Sequence, residues 1–141
     1  MATIISYGSQ AKIPLDPFTT AITVAGIPGA GAGLATAQVN ISPANPASFS
    51  SRVELNGSFS LTALANSQFL VIIRRAGVDI YRSFYRFTTI TDIQLSAQWV
   101  DGAYIGVHNY ELVIQNDSNL PINLFGPISF TATAIGGEGV I

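Results

Sequence analysis

Cysteine is absent from this 141-residue chain, which excludes disulfide staples and thiolate metal sites. Charge is scarce as well. Six Lys and Arg stand against eight Asp and Glu, a tenth of the sequence, with a net charge of −2. A soluble domain ordinarily carries about a quarter charged residues. There is a single histidine, His108, and the carboxylates are scattered singly, so no metal-ligand spacing exists. A Ser–His–Asp triad would have to use His108, yet no Gly-x-Ser-x-Gly sequence marks a nucleophile. The arginines at 74, 75, 82 and 86 are interleaved with acids and make no nucleic-acid footprint. No run approaches the 18 or so apolar residues of a membrane span. The start, Met1-Ala-Thr-Ile-Ile-Ser-Tyr7, has neither the basic nor the apolar region of a signal peptide. These absences predict a protein that is not an enzyme, with no cofactor, no metal, and no nucleic-acid or membrane partner.

Ser, Thr, Asn and Gln fill the place of the missing charge, and the dominant period is two. Val53, Leu55, Gly57, Phe59, Leu61 and Ala63 alternate with Glu54, Asn56, Ser58, Ser60 and Thr62. Such a segment is a strand with one buried and one wet face. The same alternation runs through residues 35–41, 92–99, 110–115 and 128–134. Turn-forming clusters separate these runs at Ser42–Pro46, Ala65–Ser67, Asp101-Gly102, Asn116–Asn119 and Gly136–Gly139. Many short strands divided by such turns predict an all-β fold, an antiparallel β-sandwich or jelly roll. At this length about 68% of the unfolded surface can be buried, so one domain with an unstapled core is expected.

Two segments break the alternation. Phe69-Leu-Val-Ile-Ile73 is apolar on both faces, and Ile80-Tyr-Arg-Ser-Phe-Tyr-Arg-Phe87 is bulky on both. Arg74-Arg-Ala-Gly-Val78 joins them, with Gly77 supplying positive φ. An outer face should be polar in a lone sandwich, so this hairpin predicts that a second molecule covers it. Tyr81, Phe84, Tyr85 and Phe87 form the densest aromatic cluster and are assigned to that subunit interface. The neighbouring arginines are expected to pair with Asp79, Glu54 or Glu111; an anion or glycan site is the rival reading. Low surface charge lets copies approach one another.

The N-terminal third is different. Thr3–Tyr7 is β-prone, Pro14 and Pro17 follow it, and Gly26–Gly33 reads as a spacer or strand connection. Residues 1–20 are expected to be an arm and residues 21–141 the jelly roll. An apolar strand cut off by two prolines is poorly placed to pair within its own domain. Ile4, Ile5 and Tyr7 are therefore assigned to coupling between assemblies, as an added strand or plug.

The long strand Arg52–Ala63, the hairpin Phe69–Tyr81, the run Gly106-Val-His-Asn-Tyr-Glu-Leu-Val-Ile and the strand Gly126–Gly136 resemble the C1q/TNF-like jelly-roll family, in particular its bacterial spore-surface members. The resemblance covers about 80 residues from Val53 to Ile135 and implies an antiparallel jelly-roll β-sandwich of about ten strands and a compact homotrimer. It also implies an extracellular or spore-surface location. The Gly-X-Y stalk of many such proteins is absent, which favours head-to-tail assembly through the arm. The expectation is a non-enzymatic, self-assembling trimeric subunit of a surface filament or layer. Its partners would be itself and an anchoring surface protein. The alternative is a trimeric head domain that binds a glycan or receptor.

Overall fold

A computed structural model describes residues 2–12, 20–44, 51–102 and 105–137. Pro14 and Pro17 of the expected arm, and the turn residues Asn45, Pro46, Glu138 and Gly139, lie outside the described residues. Nine strands occur among them: β1 (Ala2–Lys12), β2 (Thr20–Val24), β3 (Gly31–Ile41), β4 (Arg52–Ala63), β5 (Ser67–Arg75), β6 (Val78–Phe87), β7 (Thr91–Gly102), β8 (Gly106–Asn116) and β9 (Ile122–Gly137). One sheet has the order β1-β9-β4-β7, with β2 also on β9; the other has the order β3-β8-β5-β6. Every pairing is antiparallel. The chain passes repeatedly from one sheet to the other, as in a jelly roll.

The period-two residues meet between the sheets. Val53, Leu55, Phe59 and Leu61 of β4 and Ile128 and Phe130 of β9 face Phe69, Val71 and Ile73 of β5 and Leu112 and Ile114 of β8, all at most 2% exposed. Each such side chain contributes about 1.5–3 kcal/mol by leaving water. Gly57 keeps the β4 face low where Leu112 crosses it; a β-carbon there would lie 2.8 Å from a Leu112 methyl. Ser58 pairs with Ser129 but Ser60 with Phe125, so two steps of β4 face four of β9. Pro127 sits in this bulge, where a missing N–H costs no ladder bond.

Polar ties fix the sheets to each other and to their loops. Asp101 of β7 accepts a bond from Arg75 of β5 (2.6 Å) and one from the Tyr110 hydroxyl of β8 (2.8 Å). Asn116 is fully buried; its amide donates to the carbonyls of Ala25 and Leu120, and its oxygen accepts from Ser118. The turn at Asn116–Asn119 is thus clamped by a buried side chain. Asp101-Gly102, expected as a turn, is the end of β7, and Asp101 is 8% exposed.

The expected arm is an edge strand. β1 pairs with β9 from Ala2–Gly137 to Lys12–Ile128, with one bulge between Ile4 and Ser6. Prolines stop a strand from running on, but β1 ends at Lys12 and completes its ladder before Pro14. The five-stranded sheet therefore begins at residue 2, well before residue 21.

Candidate functional site

The two lateral edges of the sandwich differ. Along β1 and β3 the edge is closed by main chain. Gly8 lies so close to Gln38 that a β-carbon would overlap the Gln38 carbonyl, and the Ser6 hydroxyl accepts the Asn40 N–H at 3.0 Å. Along β6 and β7 the edge is open. These strands belong to different sheets and meet through the rings of Tyr81 and Trp99, 5.5 Å apart.

The ladder explains which side chains enter this opening. Tyr81, Tyr85 and Phe87 stand opposite Ile73, Phe69 and Ser67, all buried inward residues of β5. They point between the sheets but are only half-buried, and among the described residues no strand lies beyond β6. Tyr85 and Phe87 stack on Phe69 at 5.3 and 5.9 Å. Ile93 and Trp99 complete the lining from β7, and Trp99 remains 43% exposed. The result is an aromatic seam at an unpaired edge.

Phe84 does not belong to that seam. It stands opposite Leu70 on the outer face, 52% exposed, with the Arg86 guanidinium 5.9 Å from its ring centre. The four aromatic residues assigned to one interface thus divide three to one between two surfaces, since neighbours in a strand face opposite ways. The outer side of β5 is also less bare than expected. Ile72 stands in the ladder between Arg82 and Val113 and is 1% exposed within the single chain. Long arginine stems cover apolar surface in this way, so the two-sided hairpin does not of itself demand a second molecule.

The arginines are engaged. Asp79 accepts from Arg74 at 2.7 Å and from Arg82 at 2.8 Å. The Arg74 bond, with help from Arg82, holds the Asp79 carboxyl below its ordinary range. Arg75 is bound to Asp101, whose bond raises its already high pKa. Burial, then the bond to Asp101, pushes the Tyr110 hydroxyl well above its ordinary value. Arg75, Asp101 and Tyr110 are thus bonded to one another across the two sheets. His108 stands opposite Val39, its ring 6.5 Å from that of Tyr110. Among the described residues no three His, Asp or Glu come together as a metal site, and no helix is long and apolar enough to cross a membrane.

The outer face of the five-stranded sheet is wet and small-featured. Ser58 and Ser129 share a bond at 2.9 Å, and Thr23 donates to Asn123 at 2.9 Å. Shallow depressions run along it, lined by Ser60, Thr62, Gln94 and Phe125, and by Asn56, Ser96 and Gln98. The residues assigned to coupling lie on β1: Ile4 and Tyr7 point to solvent, 67% and 59% exposed, while Ile5 packs against the core. Trp99 and Asp101 were not singled out as site residues from the sequence. Trp99 sits in a regular alternation, and Asp-Gly reads as a turn.

No protein-family model and no curated protein matches this sequence. Similar folds occur among solved structures. A chain from the structure of infectious bursal disease virus Gx strain is 9% identical, with a TM-score of 0.49 over 97% of this chain and 37% of that one. The present chain thus spans little more than a third of that viral chain. The CBM36-1 domain of a multidomain xylanase from the hindgut metagenome of Trinervitermes trinervoides is 14% identical, with a TM-score of 0.44 over 99% of this chain and all of that one. A carbohydrate-binding module CBM36 in complex with calcium and xylotriose is 16% identical, with a TM-score of 0.35 over 96% and 97% of the two chains. Likenesses at this level concern the β-sandwich and carry nothing about activity.

Proposed function

We propose that this chain is a non-enzymatic structural subunit that associates with copies of itself, three to a compact particle, and builds a filament or layer on a cell or spore surface. The observation that supports this reading most is the aromatic seam between β6 and β7. Tyr81, Tyr85, Phe87, Ile93 and Trp99 project into an edge that no strand closes among the described residues. Aromatic anchors at an unpaired edge are what subunit contacts favour. The rest of the surface offers little resistance, since the chain carries a net charge of only −2. The threefold number and the surface location rest on the C1q/TNF-like resemblance. Light scattering of the purified chain at micromolar concentration tests the reading, with negative-stain images beside it. A mass of three chains or a multiple, with filaments or sheets in the images, is expected; a single-chain mass would overturn it.

The outer face of the five-stranded sheet favours a second reading, a head domain that binds a glycan. Its depressions present hydroxyls and side-chain amides, which suit an extended polyhydroxylated chain. Discrete particles that bind a glycan array, with no filaments, would select this reading over the first.

A further inference from the structure

β1 makes less contact with the core than the other long strands; β6 buries no side chain outright either, but it sets Ile80, Tyr81, Tyr85 and Phe87 against the core. None of its described side chains, Ile4 to Ser9, is buried, and only Ile5 touches the core. By contrast, β3 at the same edge buries Leu34, Ala35, Val39 and Ile41. β1 is bound by its ladder on β9, from Ala2–Gly137 to Lys12–Ile128, and by the close approach of Gly8 to the Gln38 backbone. A strand attached mostly by main chain, with Ile5 and the Ser6 hydroxyl as its described side-chain ties, leaves a vacant ladder, and little exposed core, when it departs. The occupant that fits the vacancy in the same register, Gly8 included, is β1 of a second copy.

The connection to β2 has the length for such an exchange. Lys12 pairs with Ile128, and Thr20 with Phe125 on the same flank of β9. These points are three β9 residues apart, about 10 Å. The chain takes eight steps between them (20 − 12), and eight extended steps reach about 27 Å. Pro14 and Pro17 fall within those steps, and each biases its preceding residue toward extended backbone.

We propose that β1 is an exchangeable strand: in the assembled protein it leaves its own β9 and pairs with β9 of a neighbouring copy. This rests on the self-assembly reading above. In a dilute single chain the tether gives β1 a local concentration in the millimolar range at its own β9, so pairing within the chain wins. Once subunits are held together, the neighbour's β9 is present at comparable concentration. The bonds made then equal the bonds broken, the condition under which exchange of an identical strand is a low-cost link between copies. Exchange that runs head to tail links copies without closing.

The absence of cysteine makes the test clean. Ser9 and Thr131 are paired across β1 and β9, while Asn56 and Thr131 are paired across β4 and β9. Full-length chains carrying Ser9→Cys with Thr131→Cys, or Asn56→Cys with Thr131→Cys as control, are assembled and treated with a short bis-maleimide. They are then run on a denaturing gel. Exchange predicts a ladder of covalent dimers, trimers and larger species from the first pair, and bridged single chains from the control. Bridged single chains from both pairs, no bridging from the first pair, or equal ladders from both would overturn it. Light scattering on the same samples separates the two levels: a single-chain mass refutes self-assembly, whereas an oligomer bridged only within chains refutes exchange alone.

Discussion

Replacing Asp101 by alanine removes one carboxylate that joins three strands across the two sheets. Its Oδ2 accepts from Arg75 at 2.6 Å and from Tyr110 at 2.8 Å. The two losses differ in kind. The Arg75 side chain is 32% exposed, so a freed guanidinium can turn to water, and screening keeps that loss to about 1 kcal/mol. The Tyr110 hydroxyl belongs to a residue 1% exposed and would be left buried without an acceptor, at about 1–3 kcal/mol. The expected total is about 3 kcal/mol, of which the hydroxyl supplies the larger part. For a chain of this length that lowers Tm by about 10 °C. Urea unfolding of Asp101→Ala, Tyr110→Phe and the double variant reads both terms. Tyr110→Phe should cost about 1.5 kcal/mol, and the double variant about 1–2 kcal/mol less than the sum, because the orphaned hydroxyl is gone. A loss below about 1 kcal/mol for Asp101→Ala, or strict additivity of the two changes, would refute the idea that this carboxylate locks the sheets.

Trp99 leaves 43% of its surface exposed at the open edge; on a side chain of about 200 Å² that is on the order of 90 Å². If a second copy buries it, Trp99→Ser should weaken each contact by about 2 kcal/mol, about 30-fold in association by sedimentation, beside a loss of similar size in the monomer's unfolding, because the rest of the ring already packs against Tyr81. Ala76 adopts φ 50° beside Gly77 at 81°, the backbone of a two-residue hairpin turn that favours Asn-Gly. Ala76→Asn should therefore raise stability by about 0.5–1 kcal/mol, read as an upward shift of Tm. The Ser67 hydroxyl is buried with no partner, so Ser67→Ala is expected to be neutral or stabilising by up to about 1 kcal/mol in urea unfolding. Two pH limits follow from the shifted groups. Tyr110 keeps in the folded chain a proton that an unfolded tyrosine releases near pH 10, so stability should fall as pH rises beyond about 10. The Tyr110→Phe variant should lack that decline. Asp79 is held below its ordinary 3.8 by Arg74 and Arg82, so its contribution is present above that value and lost as pH falls through the lowered one. Salt-matched melts across both ranges check the signs.

Much of the sandwich was legible in the sequence because burial on one face writes a period of two. The alternations at 53–63, 110–115 and 128–134 became β4, β8 and β9 with the expected residues inward. Gly77 marked the β5–β6 turn, and the expectation that nearby arginines pair with Asp79 matches the bonds from Arg74 and Arg82. What stayed hidden was set by neighbours rather than by pattern. A bulky run such as residues 80–87 looks the same whether two layers cover it or it flanks an open edge. Only the ladder shows that Tyr81, Tyr85 and Phe87 turn inward while Phe84 does not. Asp101-Gly102 has turn composition, yet the acceptor needs of Tyr110 and Arg75 hold the aspartate inside a strand. The N-terminal segment misled for a related reason. Prolines report where a strand stops and say nothing about which strand it pairs with before stopping.

The two edges of this sandwich are complementary in what binds them. At β1 the strand is fastened by main-chain bonds and a glycine contact, with no described side chain buried. At β6 and β7 the side chains converge, but the strands share no ladder. Main-chain bonds carry little sequence information and are conserved when one copy of a strand replaces another. Side-chain burial, in contrast, selects its partner by shape and is lost to water when the partner leaves. A subunit with one edge of each kind can recognise its neighbours through the aromatic seam and link onward through β1. The two operations draw on separate residues, so strengthening one need not weaken the other. Of the exposed large apolar residues, Ile4 and Tyr7 lie on a strand already paired, and Phe84 has the Arg86 guanidinium near its ring.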